Sequence, residues 1–492
     1  MASTTDYVEL RCRSAFSFLT GASLPEDLVA RAATLGHDTL ALADRGGLYG
    51  APRFFAAARR AGVRPLVGAE VAVVGAGLLW LLVEDRAGYR NLCRLLTAGA
   101  LGRPKGAAAV TWDDLAAHAG GLHCLAGGAD GPLAGADAER ALRRLRAIFG
   151  ARLAIDVHRH RERAGERLLR RLADLAAAHA VPLVATNDVR HAAPDGRPLL
   201  DVLTCIRLGT TLDQAGRRLL ANAERHLRPA AEMAALFHDL PDAIQQSRRI
   251  AERCTFTLAD LGYRFPEFPL PDGETPSGLL RTLTYRGARA RYRTLTPRIR
   301  RQLEHELALI ARLDLAGYFL IVWDIVRFCR ARGILCQGRG SAANSAVCYA
   351  LGITAVDPIG MDLLFERFLS AERGEWPDID LDLPSGDRRE EVIQYVYRRY
   401  GERGAAMTAT VISYRTRSAV REAGKALGFS LAQVDRLAKL LRAHGWHDQH
   451  DELAAQLRAG GVDPAAPRVG VLVDVVRRML ALPRHLGQHT RG

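Results

Sequence analysis

The sequence predicts an α/β protein of several domains, and three observations carry that expectation. From residue 6 to about 220, short apolar runs alternate with Ala/Leu/Arg-rich stretches, the rhythm of strand–helix repetition in a barrel or parallel sheet. A chain of 492 residues is long enough for roughly two to four domains. Between its halves lies Phe265-Pro266-Glu267-Phe268-Pro269-Leu270-Pro271-Asp272-Gly273, a stiff connector of the kind that marks a boundary.

Each element follows from local pattern. Val8-Glu9-Leu10 reads as a first short strand, and a helix opens at Pro25 and runs to about Leu35. Thr39 to Ala43 is a strand, Ala51–Ala61 a helix, and Pro65-Leu66-Val67 the next strand. The longest apolar run, Val71 to Val83, contains Gly75 and Gly77. It is too short to span a bilayer and reads as two buried strands joined at the glycines. Leu122–Leu125, Leu153–Val157 and Pro182–Thr186 continue the series. Residues 221–260 are expected to be helical. Beyond the connector come the basic segment Arg286–Arg301, long helices over 302–330, a buried strand over Gly333–Gln337 and a helix ending at Gly352. An amphipathic helix is expected over Gly386–Tyr400, with Val392, Val396 and Tyr400 on one stripe. The remainder, to about 485, reads as mostly helical.

Composition narrows the function. The apolar fraction is 48% and mean hydropathy is −0.04, as in a globular protein with substantial cores. The formal net charge is +14, which favours a polyanionic partner such as nucleic acid. Lysine occurs only at 105, 425 and 439, so the excess is almost entirely arginine, whose planar fork suits phosphate. Eight scattered cysteines include no Cys-x-x-Cys pair, which argues against a zinc ribbon or disulfide framework and fits a reducing cytoplasm. The opening Met-Ala-Ser-Thr-Thr-Asp-Tyr-Val lacks the basic and apolar regions of a signal peptide, and no membrane association is expected.

Two stretches suggest chemistry. Glu375-Trp376-Pro377-Asp378-Ile379-Asp380-Leu381-Asp382 places three carboxylates at alternating positions. On a strand they share a face, either as a plain solvated edge or as a seat for a hard cation such as Mg²⁺. About forty residues upstream stands Gly338-Arg339-Gly340-Ser341, between a strand and a helix start. That layout is either a simple turn or a phosphate cradle in which backbone N–H groups and the helix dipole face an anion. It is not a Walker A loop. Together, cradle and carboxylates outline two-metal phosphoryl or nucleotidyl transfer. Arg289, Arg291, Arg293 and Arg298 of the basic segment are candidates for tracking a nucleic-acid backbone, against the alternative of a solvated helix face.

The wording of three stretches, Cys336 to Ser345, Gly317-Tyr318-Phe319-Leu320 and Pro377 to Asp382, resembles the bacterial C-family DNA polymerases related to the polymerase III alpha subunit. Ser413 to Arg421 and Arg484 to His489 are similar to the error-prone, damage-tolerance branch. The resemblance implies a PHP-type α/β barrel over 1–220, a helical connector and Pro-rich linker over 221–275, the first part of a nucleotidyltransferase-type palm over 276–410 and a helical thumb over 411–492. It implies a DNA-directed DNA polymerase acting in damage-induced translesion synthesis. Primer-template DNA and deoxynucleoside triphosphates would be its substrates, with a sliding clamp and damage-tolerance accessory proteins as partners. Asp378 and Asp380 would hold two Mg²⁺ ions. Gly338, Arg339, Gly340 and Ser341 would contact the triphosphate, while Asp382 is not assigned as a ligand. Two departures qualify the resemblance. PHP metal sites open with His-x-His and Asp-His, where this chain has Arg11-Cys12-Arg13 and Asp44-Arg45; arginine is always protonated and cannot ligate a metal. Glu70, Asp188 and His191 would be remnants, and His158-x-His160 is expected at the surface. The family's third catalytic aspartate lies in a later palm strand, which this chain does not reach, so these residues alone are expected to be inactive. The alternatives are a PHP-type metal-dependent phosphoesterase and a non-catalytic DNA-binding fragment.

Overall fold

The computed structural model describes residues 7–259, 261, 267–369, 377–440, 458, 463 and 465–488. Phe265 and Pro266 of the connector, Glu375 and Trp376 before the aspartates, and most of 441–464 lie outside them. Contacts group the chain into two compact units, 1–260 with 409–488, and 261–408 with 489–492. The segment expected as a thumb therefore packs with the first unit.

The first unit is built on a six-stranded sheet whose spatial order follows the chain: β1 (Thr39–Arg45), β2 (Arg64–Val73), β3 (Gly77–Val83), β4 (Leu122–Leu125), β5 (Leu153–Val157) and β6 (Leu183–Ala185). Strands β1/β2, β4/β5 and β5/β6 pair parallel, each pair linked by a helical crossover. β3 runs antiparallel to both neighbours, so the sheet is mixed. The turn at Gly75 and Gly77 is too short to be a crossover, so the chain must reverse there. The segment at 8–13 forms no full strand. It makes parallel bridges to β1 through Glu9 and Leu40, and to the chain beyond β6 through Cys12 and Val189. It thus joins the two sheet edges into a barrel, which explains why β1 is buried along its first six residues despite standing at one end of the sheet order.

Around the sheet lie α1 (Pro25–Thr34), α2 (Ala51–Ala61), α3 (Arg86–Ala100), α4 (Trp112–Ala117), α5 (Ala138–Phe149) and α6 (Arg163–His179). These are followed by α7 (Arg197–Leu208), α8 (Leu212–Ala215), α9 (Ala230–Leu236) and α10 (Pro241–Arg253). Residues 221–229 are not helical, because His226 bridges to His191 instead. Ile250 and Ala251 of α10 pack with Val8, Leu10, Trp80 and Leu82 in one buried cluster.

The second unit contains α11 (Pro276–Arg291), α12 (Pro297–Arg312), α13 (Ala316–Ala331), β7 (Gln337–Arg339), α14 (Ala346–Leu351), β8 (Asp380–Asp382) and α15 (Asp387–Gly404). Leu283, Leu303, Phe319, Val347 and Phe365 share its core. The strand expected over 333–337 begins only at Gln337, and Leu335 is 83% exposed. Asp324, fully buried on α13, accepts hydrogen bonds from Tyr395 (2.6 Å) and Tyr400 (3.0 Å), clamping α15.

The C-terminal part is less helical than the sequence suggests. β9 (Ala409–Ser413) and β10 (Pro483–Gln488) pair antiparallel. Between them stand α16 (Thr416–Ala426), α17 (Leu431–Leu440) and α18 (Pro467–Met479). Ala419 and Val420 of α16 and Leu472 and Val476 of α18 join Leu199 and Leu203 of α7 in one core.

Candidate functional site

In the second unit, β7 and β8 pair antiparallel with Gln337 opposite Asp382, Gly338 opposite Leu381 and Arg339 opposite Asp380. Exposure alternates as the spacing requires. Asp378, Asp380 and Asp382 are exposed, whereas Ile379 and Leu381 are half-buried against the core. The strand proper covers only 380–382. Its entry is fixed by the Ile379 N–H, which donates to the Tyr318 hydroxyl at 3.0 Å. The Gly317-Tyr318-Phe319-Leu320 motif therefore supports the aspartates: Tyr318 anchors the backbone between two of them, and Phe319 packs edge-on against Phe368 in the core.

Arg339 faces this row across the ladder. Its Nη2 lies 3.4 Å from Asp380 Oδ2 and its Nε 3.1 Å from Asp382 Oδ1. Two glycines make the arrangement possible. At Gly338 a Cβ would fall 2.7 Å from the Ile353 carbonyl oxygen, and at Gly340 the backbone turns left-handed with φ +67°. Glycine tolerates both.

The helix dipole does not take the part the sequence suggested. A 3₁₀ turn over Gly340–Asn344 separates the loop from α14. The start of α14 is already occupied by the Glu306 carboxylate, which accepts from Ser345 Oγ (2.8 Å), Ala346 N (2.9 Å) and Val347 N (3.0 Å). Gln302 Nε2 donates to it as well, at 2.9 Å. Burial raises the Glu306 pKa even though these bonds favour the ionised form. Sequence reasoning missed Glu306; a charged residue on the inward face of an otherwise apolar helix was the available signal. The start of α14 is therefore not open to an anion at this loop.

The basic segment divides. Arg289 and Arg293 are exposed and form no ion pair among the described residues. Arg298 pairs with Asp362 at 2.5 Å. Arg291 is a structural strut and does not fit a phosphate-tracking role: it donates to the carbonyls of Tyr349 (2.9 Å) and Thr354 (3.0 Å) and stacks on the Tyr349 ring at 3.9 Å.

In the barrel, Arg11 and Arg13 are buried among carboxylates. Arg11 Nη1 lies 2.5 Å from Asp156 Oδ2, and its Nε lies 3.2 Å from Asp188 Oδ1. Arg13 Nη2 is 2.5 Å from Glu70 and 3.5 Å from Asp188. Arg45 also pairs with Glu70, and Arg190 and Arg225 with Asp188. Both Arg11 and Arg13 stand over the Trp80 ring, at 5.0 and 5.3 Å. Burial opposes ionisation of Asp156 and Asp188, yet their arginine partners hold both well below the usual carboxylate range. Asp44 is spent on Ser14 and Ser17. Among the described residues, no three His, Cys, Asp or Glu side chains are grouped to hold a metal. His158 and His160 are not at the surface. They line a cavity of about 150 Å³ with Asp156 and Arg225, His158 Nε2 lying 3.0 Å from Asp156, and burial pushes the His160 pKa down to about 2.

Comparison with known proteins agrees with both halves. Residues 9–160 match the PHP domain, and residues 278–492 match the bacterial DNA polymerase III alpha NTPase domain. The chain thus joins a PHP domain to a domain of the polymerase III alpha class. Along its whole length it is a relative of the error-prone DNA polymerases. It is 43% identical to an error-prone DNA polymerase of Anaeromyxobacter sp. (strain K), with 100% of this chain and 51% of that protein covered. It is likewise 43% identical to one of Rhodopirellula baltica, over 99% of this chain and 43% of that protein. The chain spans about half the length of the curated relatives it matches. A putative metal-dependent phosphoesterase from Bifidobacterium adolescentis aligns at 18% identity, over 37% of this chain and 86% of that one, with a TM-score of 0.25. No helix among the described residues is long and apolar enough to cross a membrane.

Proposed function

We propose that the chain is the N-terminal portion of an error-prone DNA-directed DNA polymerase, extending a primer 3′ end from deoxynucleoside triphosphates in translesion synthesis. The observation that carries this reading is the exposed Asp380, set across a two-strand ladder from Arg339, with exposed Asp378 two residues before it. Mg²⁺ is commonly held by one or two carboxylates together with substrate phosphates, without an all-protein cage, and two exposed carboxylates beside an anion-seeking loop fit that pattern. Two Mg²⁺ ions there would lower the pKa of the attacking hydroxyl and stabilise the pyrophosphate leaving group. The chain's own residues have simpler tasks. Asp378 and Asp380 supply the hard oxygen ligands. Arg339 neutralises charge on the triphosphate. Gly338 and Gly340 allow the backbone to approach, and Ser341 offers a hydroxyl. Arg289, Arg293 and Arg298 are the candidates for DNA contact, with Arg291 excluded by its internal bonds. The protein would act in the cytoplasm, and clamp and damage-tolerance partners would engage regions outside this chain.

The phosphoesterase alternative finds little support, since guanidinium groups fill the barrel where its metals would be needed. The test is primer extension by a protein spanning the full length of its relatives. Asp380→Ala should abolish template-directed incorporation while leaving DNA binding nearly intact. Near-normal extension by that variant would refute the assignment.

A further inference from the structure

Arg339 has two claims on its single charge. In the structure its guanidinium spans Asp380 and Asp382, with contacts of 3.4 and 3.1 Å. The proposed polymerase function, on which the inference rests, gives the same group to the triphosphate. We propose that Arg339 is a latch: without nucleotide it occupies the carboxylates, and it moves to the triphosphate as nucleotide binds, so that Asp380 is released to a divalent cation together with nucleotide and not before it.

Three features favour an exchange over a permanent ion pair. The contact is weak enough to yield, because the side chains of Arg339, Asp380 and Asp382 are 37%, 51% and 60% exposed, and ion pairs in water are worth only about 0–1 kcal/mol. The backbone does not have to move. Arg339 is held in the ladder opposite Asp380, while Gly340 turns the following chain away, so side-chain rotation alone redirects the fork. Asp382 also gains a purpose: it stands beyond the proposed metal ligands, yet it holds the Nε end of the guanidinium. A divalent cation at Asp380 and a guanidinium on the same carboxylate repel each other. Each ligand that removes the guanidinium therefore strengthens the binding of the other, and the coupling is reciprocal.

The test is a titration of the full chain with Mn²⁺ alone, followed by electron paramagnetic resonance, and then with a non-hydrolysable deoxynucleoside triphosphate present. Arg339→Gln should bind Mn²⁺ alone several-fold more tightly than the parent, and nucleotide should improve that affinity less. Arg339→Lys separates a latch from bulk charge. Its ammonium keeps the charge but cannot bridge both carboxylates, so it too should bind Mn²⁺ more tightly than the parent. Parent-like Mn²⁺ affinity in the Lys variant, or no tightening in the Gln variant, overturns the latch. If, with the nucleotide present, Asp380→Ala binds Mn²⁺ as well as the parent does, the metal site itself is misplaced, and the functional reading falls with the inference.

Discussion

Replacing Arg11 with methionine is the most informative perturbation of the barrel. Methionine keeps an unbranched apolar stem and removes the guanidinium. Asp156 would then lose its partner at 2.5 Å and keep only His158 and the Gly127 N–H, while Asp188 would still hold Arg13, Arg190 and Arg225. Both members of the broken pair are buried, with side chains 4% and 0% exposed, so solvent screening offers little relief. Removing one partner of such a pair costs about 3–5 kcal/mol, against a typical total stability of about 5–15 kcal/mol. With a urea dependence of about 3 kcal/mol per molar, the midpoint of unfolding should fall by about 1 M or more, read by circular dichroism. Adding Asp156→Asn removes the stranded charge while leaving an acceptor for Gly127 N–H. The double variant should recover at least half of the loss. A midpoint within about 0.3 M of the parent, a shift worth under about 1 kcal/mol, or a double variant that is additively worse, would refute the view that this network holds the barrel together.

Three further outcomes are expected. Glu306→Ala strands two buried backbone N–H groups and the Ser345 hydroxyl. At about 1–3 kcal/mol for each unsatisfied group, it should destabilise the second unit by several kcal/mol and raise hydrogen exchange at 345–347; unchanged exchange there would refute the capping role. Acid should destabilise the first unit in two stages. His191 and His160 are pushed down to about 4 and 2 in the fold, so each withholds a proton that the unfolded chain takes up below about 6.5. Each thereby removes about 1.4 kcal/mol per pH unit down to its folded value. Glu9, raised to about 7 by burial, offsets one of them as it protonates. His158 and His226, also lowered, add to the loss. Asp156 and Asp188, depressed by arginine, add a second fall below about 4. A urea midpoint flat between pH 7.5 and 5.5 would contradict the first stage. Finally, Arg291→Ala should lower stability with little change in the salt dependence of DNA binding, whereas Arg289→Ala with Arg293→Ala should reduce the log–log salt slope; equal slope losses would restore Arg291 to the DNA-binding set.

Much of the architecture was legible because strands β1 to β6 are short apolar runs separated by helices with clear starts, as at Pro25 and Ala51. Strand direction was not. The Gly75–Gly77 turn says that two strands adjoin, but only its brevity implies reversal. The aspartate face was legible from period-two spacing alone, since Ile379 and Leu381 turn inward as the pattern requires. Its partner was not, because the opposition of Arg339 to Asp380 depends on a register between segments forty residues apart. The same limit hid the roles of Arg291, Glu306 and His160. Arg291 and His160 look like surface residues in a local window, and Glu306 shows only as a charge on an apolar helix face; tertiary neighbours reveal an internal strut, a cavity wall and an internal cap. The β9–β10 pair was missed because its strands, at 409–413 and 483–488, lie far apart in the chain.

The interlocked charges of the barrel make it hard to rewire one residue at a time. Suppose that Arg11 and Arg13 were converted to ligating side chains to build a metal centre. Each substitution made alone abandons a buried carboxylate, Asp156 in one case and Glu70 in the other, before any metal can compensate it. Asp188 would meanwhile remain neutralised by Arg190 and Arg225 and still be unavailable as a ligand. A path of single steps therefore descends through intermediates several kcal/mol less stable that have gained nothing. The same charge pairs that hold the barrel together thus set a valley between its present wiring and any rewired one.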